Sequence, residues 1–102
     1  MKETYLVRQI TDFLNYRGYF VQRTNSGSVR FKDSSGRSNF IKLAHAGTAD
    51  ITGCSPSGQF IAIECKIGKN KPTALQEAYL EEIRKRGGIA IVAYSLDDVI
   101  NL

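Results

Sequence analysis

Two acids and a lysine form a set able to act on phosphate. Asp50 precedes a turn-rich stretch, and Glu64 and Lys66 follow it in the run Ile63-Glu64-Cys65-Lys66. Hard divalent cations take oxygen ligands, and Mg2+ is often held by one or two carboxylates together with substrate phosphate and water. A cation there stabilises charge on the phosphate and lowers the pKa of a bound water. An ammonium group beside it can position that water or stabilise a pentacovalent transition state. The backbone carbonyl of Cys65 would add a further oxygen. The same three residues would equally serve as salt-bridge partners on an exposed strand face, and spacing alone does not separate the two readings.

The elements that must position this set follow from local pattern. Ser55-Pro56-Ser57-Gly58 is a turn signal, and 60–67 is rich in apolar and β-branched residues, so the stretch from Asp50 to Lys66 reads as a β-hairpin. Strand alternation puts Ala62, Glu64 and Lys66 on one face and Ile61, Ile63, Cys65 and Ile67 on the other, which makes Cys65 a core residue. A turn centred near Ser57 sets Asp50 opposite Glu64, with Cβ atoms roughly 5 Å apart. Two carboxylates at that distance repel unless a cation or a proton lies between them. A slip of one residue would destroy the arrangement.

Upstream, 3–17 reads as an amphipathic helix through Leu6, Ile10, Phe13 and Leu14, stopped by Gly18. Glu3 is either a first-turn acid favoured by the helix dipole or a carboxylate aimed into a site at the helix end. A strand is expected at 19–24, and 28–32 and 38–43 flank the turn Asp33-Ser34-Ser35-Gly36 as a hairpin. Arg23, Arg30, Lys32, Arg37 and Lys42 make this region basic, either to grip phosphates or as an ordinary solvated face. His45, the lone histidine, is assigned no role.

Downstream, Gly68-Lys69-Asn70-Lys71-Pro72 is a basic loop. A second amphipathic helix is expected over 73–86, with Thr73 as N-cap and Gln76 completing a capping box. Gln76 could instead face the same site as Lys66. The continuous apolar run 89–94 reads as a strand buried on both faces, followed by a short helix over 96–100 behind Ser95. The pattern is therefore an α/β fold, a mixed central sheet flanked by helices in the order α-β-β-β-β-β-α-β-α, with a parallel crossover joining the strands around the second long helix.

Composition narrows the class. The chain has 102 residues, suiting one domain over 1–102, and its 42% hydrophobic content supports a folded core. Fourteen Lys and Arg against ten Asp and Glu leave a net charge of +4, compatible with a nucleic-acid partner. No apolar stretch is long enough to cross a bilayer. The N-terminus lacks the apolar core of a signal peptide, so a cytoplasmic location is expected. Cys54 and Cys65 have neither zinc spacing nor, in a reducing compartment, reason to form a disulfide.

The joint order of motifs resembles the PD-(D/E)XK nuclease superfamily, and most closely its VRR-NUC branch of small virus-type nuclease domains. The residues that carry the resemblance are Asn25-Ser26-Gly27, Gly47-Thr48-Ala49-Asp50, Gly58-x-Phe60, Ile63-Glu64-Cys65-Lys66, Gln76, Gly87-Gly88 and the final Ile-Val strand. Ala49 departs from the family, which usually has proline there. The resemblance implies a restriction-endonuclease-like fold and hydrolysis of DNA phosphodiesters with Mg2+ or Mn2+. It makes Asp50 and Glu64 metal ligands and Lys66 catalytic, and it raises Glu3 and Gln76 as site residues, Glu3 also as a metal ligand. Arg23, Asn25, Ser26, Lys69 and Lys71 are expected at the DNA.

The leading expectation is a stand-alone, phage-like endonuclease selective for Holliday junctions or other branched DNA. It would work as a homodimer in the cytoplasm (of the host, if phage-encoded), with no membrane partner and no small-molecule cofactor. The alternatives are a nicking or restriction-type nuclease on ordinary duplex, or a non-catalytic DNA-binding module on the same fold.

Overall fold

The computed structural model describes residues 1–24, 28–42 and 45–102, and for 28–31 and 40–42 the backbone only. Its elements run α1 (Glu3–Tyr16), β1 (Phe20–Arg23), β2 (Ser28–Lys32), β3 (Ser38–Lys42), β4 (Ile51–Cys54), β5 (Phe60–Cys65), α2 (Ala74–Lys85) and β6 (Ile89–Ala93), then a 3₁₀ turn at Leu96–Asp98. Among the described residues this is a mixed α/β fold with two helices and a four-stranded sheet in the order β1-β4-β5-β6. The first two pairings are antiparallel and β5–β6 is parallel.

Alternation along β5 divides the core in two. Ile61, Ile63 and Cys65 join Ile51 of β4 and pack against Leu6, Val7, Ile10 and Leu14 of α1. These four helical positions share one face, as the sequence spacing requires. Ala62 turns the other way and packs with Ala49, Leu80 of α2 and Ala90 of β6. The sheet is thus a middle layer, with α1 on one side and α2 on the other. Gly18, at φ 91°, ends α1 and sends the chain into β1.

Three expectations are corrected. The central sheet does not take in every strand: β2 and β3 pair only with each other, as a separate two-stranded sheet. β1 skips over them to β4, and the pairing closes where the Thr24 N–H donates to the Asp50 carbonyl at 2.7 Å. The last element is a 3₁₀ turn, not an α-helix over 96–100. The Asp98 carboxylate accepts from the Tyr94 and Ser95 N–H groups at 2.7 and 3.2 Å, which tightens the chain into a single turn. Finally, β6 is a sheet edge. Ile89 and Ile91 pack on the α1 side and Val92 on the α2 side, but only partly buried, because among the described residues no strand lies beyond it. Among the described residues, no helix is long and apolar enough to cross a membrane.

Candidate metal centre

The hairpin register places the two acids as the turn signal requires. Ile51 pairs with Ile63 and Thr52 with Ala62, so the next step of the ladder sets Asp50 against Glu64. Asp50 itself stands just before β4. Its Oδ2 accepts from the Cys65 N–H at 2.9 Å, which fixes the carboxylate across the strand junction. Lys66 follows on the face of Glu64, its Nζ 3.4 Å from Glu64 Oε2, with the two side chains 13% and 2% exposed.

Glu3 completes the cluster from another element. It opens α1, and one carboxylate oxygen from each of Glu3, Asp50 and Glu64 lies within 4.8 Å of the others. The first-turn position that suits the helix dipole therefore also delivers Glu3 to the acids. The site lies at the end of the sheet, where the start of α1 meets the start of β4 and the end of β5.

Glu64 is the residue that least suits a merely structural role. Its Oε1 is buried and, among the described residues, has no hydrogen-bond partner. An unsatisfied buried carboxylate oxygen is costly, on the order of a few kcal/mol. Burial first, and then the neighbouring Asp50 carboxylate, push the Glu64 pKa up to about 7, against the opposing pull of Lys66. A divalent cation held there would relieve all of these at once: it would supply a partner, offset the repulsion and favour the charged form. The donor set, three carboxylates and no sulfur or imidazole, suits a hard cation such as Mg2+ or Mn2+.

Cys65 sits in the α1-side core, as expected from alternation. Burial, reinforced by the Asp50, Glu64 and Glu3 carboxylates, pushes its thiol up to about 12, which favours the protonated form of a core side chain. Its backbone runs through the site between Glu64 and Lys66. Gln76 occupies the capping box: its Oε1 accepts from the Thr73 N–H at 2.8 Å, and its own N–H donates to Thr73 Oγ1 at 3.2 Å. Its amide oxygen is thus engaged at the start of α2, and among the described residues no hydrogen bond joins it to Lys66.

The expected DNA contacts separate. Arg23 is exposed at the end of β1, paired with Ile51 and so one step from Asp50. Lys69 and Lys71 are exposed in the loop after β5. Asn25 and Ser26 lie outside the described residues.

One further residue shapes the site. At Gly47, φ is +80°, and a Cβ there would overlap the Leu75 carbonyl and approach the Gln76 nitrogen. The turn leading to Asp50 is therefore seated directly on the first turn of α2. The glycine is legible in the sequence, but its neighbour, two elements away, is not.

The chain matches no known family model and no curated protein.

Proposed function

We propose that this protein is a metal-dependent DNA endonuclease of the PD-(D/E)XK type, on a restriction-endonuclease-like fold, selective for branched DNA such as Holliday junctions. The observation that carries the reading is the buried, unpartnered Glu64 Oε1 in a cluster with Asp50 and Glu3, with Lys66 Nζ beside it. The motif order Asp50…Glu64-x-Lys66 supports the nuclease class. The basic residues Arg23, Lys69 and Lys71 support a polyanionic partner.

Asp50, Glu64 and Glu3 would hold Mg2+ or Mn2+, with the Cys65 carbonyl as a further oxygen. The cation would neutralise charge at the scissile phosphate and lower the pKa of an attached water. The Lys66 side chain is mostly buried, and an ammonium in such a place acts on a developing negative charge more strongly than it would in bulk water. It orients the attacking water or stabilises the phosphorane-like transition state. The Asp50–Cys65 N–H hydrogen bond keeps one ligand in place before substrate arrives. Gln76 serves mainly by fixing the start of α2, against which the Gly47 turn rests. The protein works as a cytoplasmic homodimer, whose two-fold axis would present two sites to two strands.

The test is a cleavage panel of linear duplex, single strand, flap, splayed arm and four-way junction, each with Mn2+ or with chelator. Cleavage that requires the metal, favours the branched substrates and disappears in Lys66→Ala is the expected result. Equal rates on every substrate would remove the junction preference. Wild-type rates in Lys66→Ala would sink the nuclease assignment.

A further inference from the structure

We infer that the β2–β3 hairpin is a basic arm that grips the phosphate backbone of the DNA beside the metal centre. The inference rests on the proposed DNA partner and adds the element that holds it.

The arm is rooted at the candidate site. The chain leaves the central sheet after Arg23 and returns at Asp50, and the Thr24–Asp50 backbone hydrogen bond joins the two ends. β2 and β3 pair along five residues each, from Ser28↔Lys42 to Lys32↔Ser38. Strands of that length extend about 17 Å. Among the described residues no other element packs closely on this ribbon.

Its charge is concentrated. Residues 28–42 hold Arg30, Lys32, Arg37 and Lys42 against the single acid Asp33, a net +3, while the whole chain has a net +4. The acid is occupied internally. Asp33 Oδ1 accepts from the Ser35 N–H, the Ser35 hydroxyl and the Arg37 N–H, and Oδ2 accepts from the Asn39 amide. The Ser35 hydroxyl, foremost among these donors, holds the Asp33 pKa below its ordinary value, so it stays charged and committed to the turn. Arg37 also lies 3.6 Å from it. Lys32 on the ribbon and Arg23 at its root are exposed. By contrast, the basic end of α2 is answered locally: Glu81 and Glu82 pair with Arg84, Lys85 and Arg86.

A regularly charged polymer is the partner that a narrow basic ribbon fits. Duplex DNA offers a phosphate about every 3.4 Å along each strand, so an arm of this length faces several. A two-stranded ribbon is also one of the shapes that the major groove admits. An arm that leaves the sheet after Thr24, which is bonded to Asp50, would hold the duplex flanking the bond presented to the acids.

The experiment measures binding of the full chain to a fluorescein-labelled DNA duplex in chelator, across a salt series. The variant Arg30→Gln/Lys32→Gln/Lys42→Gln leaves Arg37 and the turn intact. It should raise Kd about tenfold or more and lower the slope of log K against log salt by about 3. The conservative set Arg30→Lys/Lys32→Arg/Lys42→Arg should restore both, which separates charge from folding. The same loss of charge at the helix C-termini, in Arg17→Gln/Lys85→Gln/Arg86→Gln, should change Kd less than threefold. Wild-type affinity and slope in the arm variant, or an equal loss in the helix-end variant, would overturn the arm. If the arm fails while the wild type still cuts DNA, the nuclease reading survives. If the arm is required for binding but the wild type cuts nothing, the nuclease reading fails and the arm stands.

Discussion

The two faces of β5 begin from the same backbone and end in opposite chemistry. Toward α1 the strand sends Ile61, Ile63 and Cys65 into a cluster of leucine, valine and isoleucine that is almost wholly buried. Toward α2 it sends Ala62, Glu64 and Lys66, and the packing there is mostly alanine around Leu80. The first face is apolar and filled by side chains that carry no unmet demand. The second face has small residues and a buried carboxyl with an unpartnered oxygen. Alternating a strand one residue at a time lets one element both hold the fold together and expose a polar demand at its end. The fold supplies rigidity on the α1 side, so that the acids at the sheet end can be held close despite their repulsion.

The largest expected effect lies at the acids. Asp50→Asn and Glu64→Gln should each lower the cleavage rate about a hundredfold or more, with DNA binding retained in a mobility-shift assay. Glu64→Gln should also melt no lower than wild type in chelator, because it removes a buried repulsion, while losing the rise in Tm that Mn2+ gives the wild type. A normal rise would detach Glu64 from the metal.

The apolar face should respond in the reverse sense. Ile63→Ala should cost about 2–5 kcal/mol of stability in urea unfolding through the cavity it leaves, without abolishing the gain from Mn2+. The opposing Ala62→Leu should cost about 1–3 kcal/mol by overpacking against Leu80. If the two variants proved equally harmless, the contrast in packing between the faces would be lost.

A pH series sharpens the electrostatic half of the comparison. The folded-state pKa of Glu64, at about 7, is raised above the ordinary 4.5, so the folded state binds this proton more tightly than the unfolded chain. The stability that this proton contributes is complete below about pH 4.5 and lost as pH rises through about 7, beyond which this group adds no further slope. Metal-free thermal melts of wild type and Glu64→Gln should diverge across that window, with the wild type losing ground as pH rises. Because a cation needs the charged form, the Mn2+-induced gain should grow over the same range.

The smallest effect is expected at Gln76. Its capping role predicts that Gln76→Ala costs about 1 kcal/mol and leaves kcat within a few-fold of wild type. A large fall in kcat with an unchanged Tm would return Gln76 to the site.

Much of the site was legible because it depends on local rules. The turn Ser55-Pro56-Ser57-Gly58 and the alternation of β5 together place Asp50 opposite Glu64, and the observed register agrees. The Thr73–Gln76 capping box was equally readable, since its partners are three residues apart. What the sequence left open depends on distant contacts. Glu3 had two readings until the path of α1 across the sheet brought its carboxylate to Asp50. The separation of β2–β3 from the main sheet could not be read from strand patterns, because a hairpin satisfies its own ladder whether or not it joins a larger sheet. The edge position of β6 has the same origin, as an apolar run reports burial of its faces but not which strand lies next to it.

The most direct measurement is a calorimetric titration of Mn2+ into the wild type and Glu64→Gln at pH above 7, where the carboxyl is charged. The account predicts saturable binding by the wild type, weakened at least tenfold or abolished in the variant. No binding by the wild type, or equal affinity in the two proteins, would contradict a metal centre at Glu3, Asp50 and Glu64.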